Sequence, residues 1–238
     1  MNQREIKILH LYPDLLNLYG DKGNISALTK RLSWRDIDVQ VTTCTKEETP
    51  DFSWADILFL GGGSEKEEKI VFALLKEKKE ELKAYIEDGG VMLATCGGFP
   101  MLGRYEGQEK GLEILDITTR MEEARLIGNV VVKTEAYQTV VGFANHGERT
   151  EIGGYMPLGK AVAGPGNTGE KSAEGLLYKN LIATYLHGPL LPKNPKLCDD
   201  ILARALAKKY PDFAGLSPLP DVVEEKANAY IAETYGKE

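Results

Sequence analysis

The chain has 238 residues, 42% of them hydrophobic and 27% charged, with a formal net charge of −7. That length supports a substantial core, the balance is that of a globular protein, and an acidic surface repels phosphate backbones, which argues against nucleic acid as a partner. No apolar run approaches the ~18 to 20 residues of a membrane span, and the N-terminus enters a strand pattern with no signal-peptide core. The three cysteines, Cys44, Cys96 and Cys198, have neither disulfide nor C-x-x-C spacing, so the expectation is a cytoplasmic protein with reduced thiols and no metal centre.

Ile6–Tyr12 (I-K-I-L-H-L-Y) reads as a strand, followed by a loop rich in turn residues over Pro13–Asn24. Helical spacing marks Ile25–Trp34. The β-branched run Ile37–Thr43 predicts a second strand, and Asp56–Leu60 a third that ends in Gly61-Gly62-Gly63. Glu65–Asp88 is helical, with a break possible within it, and stops at Gly89-Gly90. Its alternating charges from Glu65 to Lys83 read as a solvated face with pairs at four-residue spacing. Val91–Thr95 (V-M-L-A-T) is apolar enough for a strand buried on both faces. Beyond Arg125 come the strand patterns Ile127–Lys133, Thr139–Phe143, Gly175–Tyr178 and Ile182–Leu186, separated by turns, then helices at about Asn194–Lys209 and Val222–Tyr235. The class is α/β: a mostly parallel central sheet flanked by helices, with an antiparallel extension, in one domain spanning 1–238.

Chemistry concentrates in Val91–Gly103, V-M-L-A-T-C-G-G-F-P-M-L-G. A buried strand runs into Cys96, then into two glycines and a helix, the layout of a nucleophile elbow. A helix N-terminus behind the sulfur, with a histidine nearby, predicts a thiol pKa lowered from ~8.5 into the range ~3.5 to 7.5. The competing reading of a lone cysteine is a small core residue, but the C-terminal end of a parallel strand is where α/β folds place their sites. A thiolate needs a base, and there are three histidines. His187, in A-T-Y-L-H-G-P-L, ends an apolar strand as Cys96 does; His146, in F-A-N-H-G-E, also lies at a strand end and is the second choice; His10 sits inside a strand and reads as packing. Free backbone N–H groups of Gly62, Gly63 and Gly97 are candidates for an oxyanion hole, although a run of three glycines is equally an ordinary flexible turn. No P-loop pattern is present.

These motifs resemble the class I glutamine amidotransferases of the cobyric-acid-synthase type, whose elbow reads about C-G-G-Y-Q-x-L-G and whose histidine lies in H-G-P, as His187-Gly188-Pro189 does here. Leu11–Asn24 (L-Y-P-D-L-L-N-L-Y-G-D-K-G-N), Phe59–Gly63, Asn145–Thr150 and Gly166–Glu170 narrow the resemblance to the GatD branch, the glutaminase subunits of lipid II isoglutaminyl synthase. The resemblance implies a glutaminase in which Cys96 attacks the side-chain amide of glutamine and His187 carries the protons. It implies that Arg125 holds the glutamine α-carboxylate, a role for which a guanidinium fork is suited. It also implies a heterodimer with a MurT-like, Mur-ligase-like synthetase subunit. That partner would bind ATP and Mg and take the ammonia to amidate the D-glutamate of lipid II in peptidoglycan synthesis, while this chain itself holds no cofactor. Pro100 stands where the family has Gln, in the glutamine pocket, and Pro189 stands where many class I enzymes carry a His-orienting Glu. The alternatives are an amidotransferase for another acceptor such as a corrinoid, and an inactive regulatory subunit.

Overall fold

The computed structural model describes residues 4–108 and 110–236. In chain order it contains β1 (Glu5–Leu11), α1 (Lys22–Ser33), β2 (Asp38–Cys44), β3 (Ile57–Leu60), α2 (Glu65–Lys76), α3 (Lys79–Glu87), β4 (Val91–Thr95) and α4 (Gly98–Met101). These are followed by β5 (Arg104–Tyr105), β6 (Thr118–Thr134), β7 (Gln138–Glu151), β8 (Gly159–Ala163), β9 (Ala173–Glu174), β10 (Leu176–Tyr178), β11 (Leu181–Thr184), α5 (Pro195–Lys209) and α6 (Val222–Tyr235).

The main sheet has six strands in the order β10-β11-β4-β3-β1-β2. Neighbours from β11 to β2 run parallel, and β10 is antiparallel at the edge. All residues of β3, β4 and β11 are buried, which is why these strands read as unbroken apolar runs rather than as alternation. Alternate residues feed two cores: Ile6, Ile8, Ile57, Phe59, Val91 and Leu93 pack with α1 and α5, while Leu9, Leu11, Leu58, Leu60, Met92 and Ala94 pack with α2 and α3. The helical stretch after the triple glycine breaks into α2 and α3, and α2 starts on a full capping box between Ser64 and Glu67.

Of the strands expected after Arg125 as an antiparallel extension, two join the main sheet: β11 lies parallel to β4, against that expectation, and β10 is antiparallel at the edge. β5 to β9 form a second sheet of five strands, built on the long β6–β7 hairpin. Its β7 reaches back to the main sheet through an isolated antiparallel bridge between Phe143 and His187. Arg31 binds Asp199 and Asp221 at 2.6 Å each, tying α1 to α5 and to the start of α6. No helix among the described residues is long and apolar enough to cross a membrane.

Candidate active site

Cys96 follows the last residue of β4 and has φ 53°, the left-handed region that few non-glycine residues adopt. Its N–H donates to the Thr184 carbonyl at 2.9 Å, so the turn is anchored on the neighbouring strand β11. Strain at a nucleophile that the surrounding backbone over-determines is the mark of an elbow. The glycines around it are there for space. A Cβ on Gly62 would stand 2.5 Å from Cys96 Cβ and 2.8 Å from Sγ, and one on Gly98 would stand 2.7 Å from the Leu60 carbonyl.

β4 and β11 pair Thr95 with Thr184, so Cys96 and His187 leave the same edge of the sheet from adjacent strands, as the sequence predicts. His187 is 1% exposed, and neither ring nitrogen has a hydrogen-bond partner among the described residues. Tyr19 stacks on its ring at 3.9 Å between centroids, while the Cys96 thiol acts on the Tyr19 phenol, which places Tyr19 beside both. Three contacts join the first loop and the start of α1 to the His187–Leu191 segment: Tyr19 on His187, Gly23 against Pro189, and Asn24 Oδ1 accepting from Leu191 N–H at 2.9 Å. Those contacts give the two motifs a common reason to be present. Burial lowers the His187 pKa from 6.5 to about 4, with a smaller push from Lys193, so the ring is neutral at physiological pH and able to accept a proton.

Cys96 itself lines a cleft of about 160 Å³ with Tyr19, Glu68, Arg125, His146 and Glu148. His146, the second histidine candidate, therefore borders this cleft. It stacks flat on Tyr185 at 3.7 Å, and its Nδ1 lies 2.8 Å from the Glu148 carbonyl. A carbonyl only accepts, so the proton sits on Nδ1 and Nε2 keeps a lone pair. Glu148 thus orients His146 through its backbone. Arg125 is exposed at the β6 irregularity, and its guanidinium is braced by Asn145, Nε to Oδ1 at 2.9 Å and Nη2 to the carbonyl at 2.8 Å. His10 is buried edge-on against Phe59, in keeping with packing.

Two expectations are corrected. The thiol is not activated by a helix: α4 has only four residues, and burial, then Glu68 and Asp21, push the Cys96 pKa up rather than down. The resting pair is thiol and neutral imidazole, so proton transfer must accompany attack. The Gly62 N–H is also not free, because it donates to Asp21 Oδ2 at 3.0 Å. An oxyanion arriving here has to compete for this donor.

Asp21, Tyr19 and the Glu68–Lys110 pair were not singled out from the sequence. Asp21 is fully buried, and its pKa is raised to about 6 by desolvation against donors from Gly62 and Thr95. Glu68 was read within the solvated face of the helix, yet it is 5% exposed. A signal was available: Glu68, Val71 and Leu75 share the buried stripe of α2, where a carboxylate is out of place. Among the described residues, no group of three or more His, Cys, Asp or Glu side chains could hold a metal ion.

A family profile described as "CobB/CobQ-like glutamine amidotransferase domain" matches residues 7–195. The chain belongs to the CobB/CobQ-like glutamine amidotransferase family. It is 43% identical over 210 residues to "Lipid II isoglutaminyl synthase (glutamine-hydrolyzing) subunit GatD" of Staphylococcus aureus (strain N315), covering 86% of each chain. Against the protein of the same name from Streptococcus pneumoniae (strain ATCC BAA-255 / R6), identity is 37% over 239 residues, covering 97% of this chain and 90% of that one. Among solved structures, a glutamine amidotransferase superposes with a TM-score of 0.59 at 17% identity, over 83% of this chain and 98% of that one, which supports the fold. The family fits the site: an elbow cysteine, a neutral histidine one strand away and an arginine at the rim.

Proposed function

We propose that this chain is the glutaminase subunit of a lipid II isoglutaminyl synthase. The single observation that carries the chemistry is Cys96 at positive φ on the edge shared with His187. The acceptor rests on 43% and 37% identity to subunits of that enzyme over most of each chain.

In this reading Arg125 holds the α-carboxylate of glutamine, braced from behind by Asn145. Cys96 Sγ bonds to the carboxamide carbon while its proton passes to His187, and the carbonyl oxygen becomes an oxyanion. The Gly62, Gly63 and Gly97 amides meet that oxygen, the Gly62 N–H once it is released from Asp21. Collapse returns the proton to the nitrogen, ammonia leaves, and a thioester remains. Water then adds to the thioester with His187 as base, and glutamate departs. Ammonia goes to an ATP-using, Mur-ligase-like partner.

Among the described residues His187 has no partner at either nitrogen, and Pro189 fills the place of a local carboxylate. That supports an orienting carboxylate supplied across the interface by the partner, which would keep the chain slow until it is assembled. The test is glutamine hydrolysis by the chain with its partner, in the wild type and in Cys96→Ala. Hydrolysis should vanish in Cys96→Ala with the melting curve preserved. Hydrolysis that survives the change removes Cys96 from the chemistry.

A further inference from the structure

The nucleophile stands among carboxylates. Glu68 rises from α2 behind the triple-glycine turn, and its Oε2 binds Lys110 Nζ at 3.2 Å with both side chains buried. Lys110 is held on its other side by the Tyr105 ring, 4.5 Å from the centroid. The second carboxylate oxygen, Oε1, lies against Gly97, the residue after the nucleophile, where a Cβ would overlap it. Asp21 approaches from the loop before α1, but its oxygens are taken by Gly62 N–H, Thr95 Oγ1 and Asn24 Nδ2. Glu148 comes from β7 and borders the same cleft. All three carboxylates hold the thiol in its protonated form.

A collar of this sign treats the two ends of the reaction differently. Glutamine presents a neutral carboxamide to Cys96, with two N–H donors; glutamate presents a carboxylate, which only accepts and carries a like charge. Of the three carboxylates, Glu68 is the one whose position against Gly97 is fixed by a buried cation while one oxygen is left toward the nucleophile turn. We propose that Glu68, positioned by Lys110, is the specificity-determining residue that separates the carboxamide of glutamine from the carboxylate of glutamate and expels the hydrolysed product. The proposal rests on the glutaminase reading above. It also gives the buried ion pair a task beyond stability, for which a buried pair is weak ground.

The test follows initial rates of Cys96 labelling by 6-diazo-5-oxo-L-norleucine on the full chain with its synthetase subunit present. Protection by L-glutamine and by L-glutamate is titrated separately, and the readout is the ratio of the two protection constants. In the wild type glutamate should protect far more weakly than glutamine. Glu68→Gln should shrink that ratio by roughly tenfold or more, because the repelling charge is gone while the shape is kept. Glu68→Asp should keep most of the wild-type ratio. Glu68→Gln leaves Lys110 buried without its counter-ion, so the double variant Glu68→Gln with Lys110→Gln removes both charges and should shrink the ratio likewise. An unchanged ratio in a variant that still labels overturns the proposal. So does a fall of equal size in Glu68→Asp. Absence of any glutamine protection in the wild type is a different result, which removes the glutaminase reading and this proposal with it.

Discussion

Gly62 leaves no room for a side chain, since a Cβ there would meet Cys96 at 2.5 Å. Gly62→Ala should therefore displace the nucleophile and lower kcat/KM by about a hundredfold or more, as a misplacement near 1 Å does. A circular-dichroism melt checks that the fold survives; near-normal turnover contradicts the geometry. Arg125 lies at the cleft rim with its fork braced by Asn145. Arg125→Ala should raise KM and cost about 2 to 3 kcal/mol in kcat/KM, and Arg125→Lys should recover little, because an ammonium cannot present a planar fork. The two histidines separate by the same assay. His187→Asn should remove nearly all glutamine hydrolysis while His146→Asn leaves a substantial fraction, and the reverse order hands the base role to His146.

The element that carries His187 has its own pH dependence. Glu174 in β9 is fully buried and accepts from Thr184 Oγ1 and from Tyr185 N–H, both at 2.8 Å, just ahead of His187. Burial pushes its carboxyl up from 4.5 to about 7. The folded chain holds that proton more tightly than the unfolded chain does. The cost is therefore absent below about pH 4.5 and grows as the pH rises to about 7, where it reaches on the order of 3 kcal/mol if the whole shift is expressed. Urea midpoints at pH 5 and pH 7.5 should fall less with pH in Glu174→Gln than in the wild type, and parallel falls would mean the carboxyl does not titrate in this window. Elements of this kind were legible where they were local. β4 and α6 lie where V-M-L-A-T and the tail pattern put them, because an unbroken apolar run and a closing helix need no distant partner. The strand-end positions of Cys96 and His187 were legible because a strand end followed by glycine or Gly-Pro is itself a local signal. Asp21, Tyr19 and Glu68 were not, because each matters through a neighbour from a separate part of the chain: Gly62, His187 and Lys110. The second sheet was also hidden, since alternation predicts a strand but not which sheet receives it.

At the scale of the whole molecule the resting state is held in check. The thiol is kept protonated, the Gly62 N–H is occupied by Asp21, and the His187 ring has no orienting partner among the described residues. Exposed Leu18 and Met121 border the cleft, where a second subunit would reach the site. A carboxylate brought to His187 by that subunit favours imidazolium, so the acid limb of Cys96 labelling should move upward from about pH 4, set by the buried ring, when the partner is added. An acid limb that stays in place contradicts a shared triad. The most direct measurement of the central claim is isotope transfer: glutamine labelled with nitrogen-15 in its side-chain amide is given to this chain, the proposed Mur-ligase-like partner, ATP and lipid II. The account predicts one heavy nitrogen in the α-carboxamide of the stem-peptide D-glutamate, lost entirely in Cys96→Ala, where free unlabelled ammonia restores amidation but without the heavy nitrogen. Label that reaches lipid II with Cys96→Ala and no added ammonia, or no label in lipid II while glutamine is still hydrolysed, would contradict it.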